Sequence, residues 1–330
     1  MRPRSRITTR QRPTRSPFGV RGPATGVRAL ALDLAGALVL AACGAAAPPA
    51  RSPRAAPPLQ LETLVPDGAE WIVLSRPADL WRSAAVRAAV EPAIREVDLA
   101  ALASRTGVDL RSVSDLVAAG FGVRGDLIAL RGNDLRRTMA RALELTAEPR
   151  YAIHPLRKDV VLVGSGVGSS GILSAASRRA PRPGARAAGP LPAVAERLRT
   201  ELPRGPFQLL YLVPLQLDRT TPAAVLLSGL RSGGVTVNPR GAELLIDIVL
   251  EGDFPPTAET NFRAMLESVA LSPLGSLFDL TSALPTARIR SAEGRITVQI
   301  ALAAQAVADG VRALFVAELQ ELLGGIRRTR

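Results

Sequence analysis

Few groups in this 330-residue chain have the types and spacing for chemistry. The most suggestive is Gly166-Val167-Gly168-Ser169-Ser170-Gly171, a G-x-G-x-x-G that follows an apolar run and precedes Ile172-Leu173-Ser174-Ala175-Ala176-Ser177. In a dinucleotide site such glycines permit a tight turn and let a pyrophosphate approach a helix N-terminus. The preceding strand, however, belongs to a hairpin rather than to a parallel βαβ unit. The position about 20 residues further on, where that fingerprint needs an acid at a strand end, falls in a Pro-rich stretch. Gly166, Gly168 and Gly171 therefore read as a flexible glycine turn, with a cofactor or phosphate loop as the alternative. No cofactor is expected.

Nucleophilic and acid–base chemistry fare no better. No G-x-S-x-G occurs, and a Ser-His-Asp triad would have to use His154, beside Pro155 at the end of a hairpin strand. Asp126, Glu243 and Asp247 alternate with apolar neighbours and read as solvent faces of strands rather than as an acid/base pair. Glu318 and Glu321 fall on the polar face of the last helix. One Cys and one His exclude a zinc finger or a three-histidine site, and no D-x-D-x-D loop marks calcium. No metal site is expected, no catalytic residue is assigned, and the chain reads as a non-enzyme. Trp71 and Trp81 are candidates to line an apolar site, although Trp71 sits in a strand run and reads as core.

The formal charge of +13 superficially suggests nucleic acid. Much of it is concentrated at the start, where Arg2, Arg4, Arg6, Arg10, Arg12, Arg15, Arg21 and Arg28 face only Asp33 within residues 1–42. Elsewhere arginine is scattered, and aromatic residues at 3% are too few to stack bases. No nucleic-acid partner is expected.

That Arg-rich start leads into the apolar run Ala29 to Ala42, which has the basic region, short apolar region and small-residue end of a secretory signal. The run is shorter than the roughly 20 residues that span a bilayer. Leu40-Ala41-Ala42-Cys43 resembles the lipobox of bacterial lipoproteins. The resemblance implies diacylglyceryl transfer to the Cys43 thiol, cleavage just before it and acylation, as with palmitate, of the new amine. Leu40, Ala41, Ala42 and Gly44 are the processing context. Gly44 after the cysteine resembles outer-membrane sorting, which implies an exported, membrane-anchored lipoprotein of a Gram-negative outer membrane. Plain secretion or an uncleaved anchor is the alternative.

The elements that would carry these groups follow. Residues 1–42 read as signal peptide and 43–58 as a Pro/Ala-rich tether that cannot bury a core. Folded repeats are expected at 59–177 and 201–325, with 178–200 a Pro/Arg/Gly-rich linker or loop. The repeat is carried by a P-x-G, apolar run, P-x-x-L pattern in Pro66 to Leu80 and Pro203 to Leu217, aligned at a constant offset of 137. Leu127 to Asn133 and Ile248 to Asp253 are matching strands that end in Gly plus a capping residue. Hairpins are expected at Tyr151 to Val163 and Ala287 to Ile300, and helices at 78–104, 134–146, 257–269 and 301–323. The fold class is α+β, two similar tandem halves, each with a mostly antiparallel sheet packed by helices.

Three functions fit. The first is a lipid-anchored cell-envelope lipoprotein with a binding or assembly role, joined to the membrane through its lipid and meeting an envelope protein or lipid. The second is a carrier of apolar or lipid ligands, for which an apolar pocket would be the sign. The third is an exported hydrolase with an unorthodox site, marked by perturbed carboxylates converging in a cleft.

Overall fold

Strands of 5 to 11 residues, largely apolar in the first half of the chain and alternating apolar with polar in the second, build the sheet of this molecule. The computed structural model describes residues 59–84, 86–88, 113–133, 135, 151–180, 191–214, 227–310 and 312–313. The strands are β1 Trp71–Ser75, β2 Val113–Gly120, β3 Asp126–Gly132, β4 Tyr151–Pro155, β5 Val160–Ser165, β6 Phe207–Tyr211, β7 Leu230–Arg240, β8 Glu243–Gly252, β9 Arg288–Ala292 and β10 Arg295–Ala303. The helices are α1 Pro77–Arg82, α2 Ser169–Arg179, α3 Ala193–Glu201, α4 Ala258–Ala270, α5 Pro273–Leu277 and α6 Leu280–Ala283, and a 3-10 turn spans Leu61–Leu64. The fold is α+β, with one large antiparallel sheet and several helices.

All ten strands join in that sheet, in the order β4-β5-β3-β2-β1-β6-β7-β8-β10-β9. Counted outward from the central β1/β6 pair, both sides run first, second, third, fifth, fourth. One row of side chains crosses every strand: Ile153, Val163, Ile128, Ala118, Val73, Leu209, Val235, Ile248, Val298 and Ile289. All ten are apolar, and nine of them, Val235 apart, belong to or pack against one buried core that also takes in Phe262 of α4, Ala283 of α6 and Val307. Burying such a face is the main stabilising term, at roughly 25 cal/mol per Å².

The opposite face behaves differently on the two sides of the seam. A second row reads His154, Leu162, Ala129, Val117 and Leu74 as far as β1, then Gln208, Thr236, Asp247, Gln299 and Arg288 from β6 onward. On the first side this face is covered by the 3-10 turn and α2, and α3 packs on β6 and β7. Beyond the seam it becomes the polar half of an alternating strand pattern.

Several expectations need correcting. The expected linker 178–200 contains α3, whose Ala195 and Leu198 are fully buried beside Leu202. Their three- and four-residue spacing is a core stripe that the surrounding Pro/Arg-rich composition concealed. The helix expected at 78–104 is interrupted at Ser83, whose backbone is extended and whose hydroxyl accepts from the Val86 N–H at 3.4 Å. Residues 89–112 and the helix expected at 134–146, Leu135 apart, lie outside the described residues. The last helix starts at 304 rather than 301, because Ala301, Leu302 and Ala303 continue β10 in register with Leu245, Leu244 and Glu243. Glu318 and Glu321, like Cys43 and its context Leu40, Ala41, Ala42 and Gly44, lie outside the described residues. The hairpins β4/β5 and β9/β10 and helix α4 fall where the periodicity puts them.

Candidate functional site

The Gly166–Gly171 turn is held by packing. Gly166 has φ +84, and a Cβ there would meet Gly125 Cα at 2.6 Å. A Cβ on Gly168 would meet the Arg124 carbonyl oxygen at 2.7 Å, and the Gly168 N–H already donates to that oxygen at 2.8 Å. These two glycines let the β5–α2 turn lie against the β2–β3 turn. Gly171 faces open space inside α2. The Gly168 N–H is thus engaged within the protein.

The other candidates are dispersed. His154 is exposed on the edge strand β4. Trp71 packs against the continuous core with its indole across Gly120, its direct partner on β2, where no Cβ would fit. Asp126 accepts from Ser165 Oγ at 3.0 Å, and Glu243 is exposed. Asp247, expected on a solvent face, is instead 9% exposed. Its Oδ1 accepts from Gln299 Nε2 at 2.8 Å, within the polar row described above. Among the described residues no group of three or more His, Cys, Asp or Glu side chains is placed to hold a metal, and no helix is long and apolar enough to cross a membrane.

One carboxylate among the described residues has a displaced pKa. Burial alone would raise Glu251, but hydrogen bonds from Arg197 and Ser232 and the charges of Arg197 and Arg295 outweigh it and hold the group below the usual range. The Arg197 guanidinium, 2.6 Å from Glu251 Oε2, is raised in turn, chiefly by that hydrogen bond. Arg295 also reaches Glu201 at 2.7 Å. This network ties α3 to β8 and β10 across the surface of the sheet.

What the sequence reading missed is a cavity of about 710 Å³ where the second row turns from apolar to polar. Its floor holds Val117 and Leu74 on one side of the seam and Gln208 on the other. The wall is completed by Leu59, Leu61 and Glu62 around the 3-10 turn, by Glu196, Arg199 and Thr200 of α3, and by Leu202, Arg204 and Gly205 after it. Arg76, Asp115 and Arg131 line it at the strand ends. Arg131 Nη1 donates to Asp115 Oδ2 at 3.1 Å, and Arg199 pairs with Glu62 at 3.2 Å. Arg76 bridges Asp79 at 3.3 Å and the Gly205 carbonyl at 3.0 Å. The volume lies within the roughly 300–1,000 Å³ of small-ligand pockets. No sequence motif announces it, because its walls come from five separate segments between Leu59 and Gln208; the α3 stripe was the available signal.

No protein-family model matches the chain, and no curated protein matches it. Among solved structures it is similar to crystal form III of TP0453, at 12% identity and a TM-score of 0.48, covering 78% of this chain and 99% of that one. For crystal form I the values are 13%, 0.43, 78% and 98%. For crystal form IV they are 11%, 0.46, 77% and 97%.

Proposed function

We propose that this chain is a lipid-anchored cell-envelope lipoprotein, acylated at Cys43, with a binding or assembly role served by the cavity on the β1/β6 seam. The lipobox resemblance at Leu40 to Cys43 supports the anchor. The cavity carries the binding part of the reading. Leu59 and Gln60, where the proposed 43–58 spacer meets the body, line it, so the tether joins the protein beside its candidate site. The reading places the protein on the outer membrane of a Gram-negative cell, with an envelope protein or lipid as its partner.

The proposal extends to two tandem repeats, 59–177 and 201–325. The identical strand succession on either side of the seam and the apolar row through all ten strands support it. A second reading, a carrier of apolar or lipid ligands, is favoured by Leu61, Leu74, Val117 and Leu202 in the cavity wall.

The test has two readouts on protein made in a bacterial host. The N-terminal peptide is analysed by mass spectrometry: an acylated Cys43 at its start, lost in Cys43→Ala together with membrane association, is the expected result. Native mass spectrometry of the purified chain then seeks a bound small molecule that Leu74→Trp, which fills the cavity floor, excludes. An unmodified peptide beginning elsewhere sinks the anchor. A cavity that never carries a ligand in either form sinks the binding role.

A further inference from the structure

Arg131 of the cavity lining is only partly paired. Arg131 keeps its side chain 16% exposed, and Nη1 is committed to Asp115. Nε lies 3.8 Å from Asp159 Oδ2, and both Nε and Nη2 are buried with no hydrogen-bond partner among the described residues. A guanidinium has five N–H donors, and leaving buried ones unpaired is costly. Arg76, just after β1 and two strands from Arg131 in the sheet, lines the same cavity with its side chain 53% exposed. The wall carries four arginines, Arg76, Arg131, Arg199 and Arg204, against three carboxylates, Glu62, Asp115 and Glu196, of which Asp115 and Glu62 are each held by an arginine of the same wall.

The rest of the wall asks for something other than a bare ion. Leu61, Leu74, Val117 and Leu202 form an apolar surface that a hydrated anion would leave wet. A cation would face the arginines. A ligand with an apolar body and an oxyanion head satisfies both parts, its oxygens receiving charge-assisted hydrogen bonds from planar guanidinium groups.

We propose that the cavity selects small amphipathic molecules with an anionic head, a carboxylate or a phosphate monoester, and that Arg131, flanked by Arg76, receives the head while the leucines and Val117 receive the body. This rests on the binding reading of the cavity given above.

The test is calorimetric titration of the full chain carrying Cys43→Ala, which removes acyl chains that would compete. The probes are hexanoate, hexyl phosphate, hexanol, hexylammonium and inorganic phosphate. Hexanoate or hexyl phosphate is expected to bind at least about tenfold more tightly than hexanol, hexylammonium or inorganic phosphate. Because Arg131 also neutralises Asp115, the informative variant is Asp115→Asn/Arg131→Gln, which removes both charges together. It is expected to erase the preference for the anions while hexanol binds as before, with the thermal melt reporting that it folds. Leu74→Trp is expected to weaken every hexyl probe.

Hexanol equal to hexanoate overturns the head-group assignment but leaves a binding cavity. Inorganic phosphate equal to hexyl phosphate overturns the amphipathic part. An anion preference that survives the double variant removes Arg131 from the role. Failure of every probe overturns the proposal together with the binding reading.

Discussion

Val73 of β1 stands directly opposite Leu209 of β6, and the hydrogen bonds around them repeat end for end. The Arg76 N–H donates to the Pro206 carbonyl at 2.7 Å, and the Leu212 N–H donates to the Glu70 carbonyl at 2.8 Å. Each of these residues lies 136 positions from its counterpart. An even offset returns every side chain to its own face of the sheet, so Val73 and Leu209 occupy the same core from both sides.

This pair closes the seam between the two runs of strands. Val73→Ala is expected to cost about 2 kcal/mol and Leu209→Ala a similar amount, since both lose core contacts and leave voids. Their effects should be non-additive by about 0.5–1 kcal/mol, as for direct cross-strand neighbours. Chemical denaturation of the two single variants and the double variant measures the coupling. Simple additivity would mean that the seam does not close through this contact.

The glycine turn and the β2–β3 turn packed against it offer two opposite substitutions. Gly125 has φ +112, and a Cβ there would overlap the Ser165 carbonyl, so Gly125→Ala is expected to destabilise by more than about 2 kcal/mol. Gly171 lies within α2 with nothing nearby, so Gly171→Ala is expected to stabilise by about 0.5–1 kcal/mol. Thermal melts of both variants are the check. A loss of stability in Gly171→Ala would show that this glycine has a role other than spacing.

Glu251 makes the fold sensitive to acid. Its pKa is depressed in the folded state, so its contribution is fully present above the ordinary carboxylate range and is lost as pH falls through the lowered value. Glu251→Gln is expected to cost about 1–2 kcal/mol at pH 7, a charge-assisted hydrogen bond. The difference from the parent should shrink as pH drops below about 4. Denaturation series at pH 7 and pH 3 test this, and a gap that widens in acid would contradict the assignment.

Ser75, which also lines the cavity, has a hydroxyl that no described group satisfies. Its hydroxyl is buried, at 3% residue exposure, and has no hydrogen-bond partner among the described residues. It faces Leu116 and Phe207 on neighbouring strands. Ser75→Ala is expected to stabilise the protein by about 1 kcal/mol, the penalty of a desolvated hydroxyl. Equilibrium unfolding that finds the variant less stable would place a partner on that oxygen.

Local patterns made much of this architecture legible. The alternation in Arg295 to Ile300, with Glu293-Gly294 before it, locates the β9/β10 hairpin. The stripe of Phe262, Met265, Leu266 and Val269 locates α4. Each depends on contacts within a few residues. The 137-residue offset of the sequence pattern is one residue from the 136 that relates the hydrogen-bonded residues of the seam. The Pro and Gly anchors lie in the flanking turns, and those turns differ in length: Gly68 precedes β1 by three positions, Gly205 precedes β6 by two.

By itself the sequence determined the α+β class, the positions of hairpins and of α4, and the lipobox resemblance around Cys43, all of them carried by neighbouring residues. Tertiary structure decided that the ten strands form one sheet, that α3 docks on it, that the polarity of one face changes between Leu74 and Gln208, and that a cavity opens there. The physical reason is distance along the chain. Leu74 meets Gln208, and Arg76 meets Gly205, through strand pairing across more than a hundred residues, and no local periodicity records which strands will be neighbours.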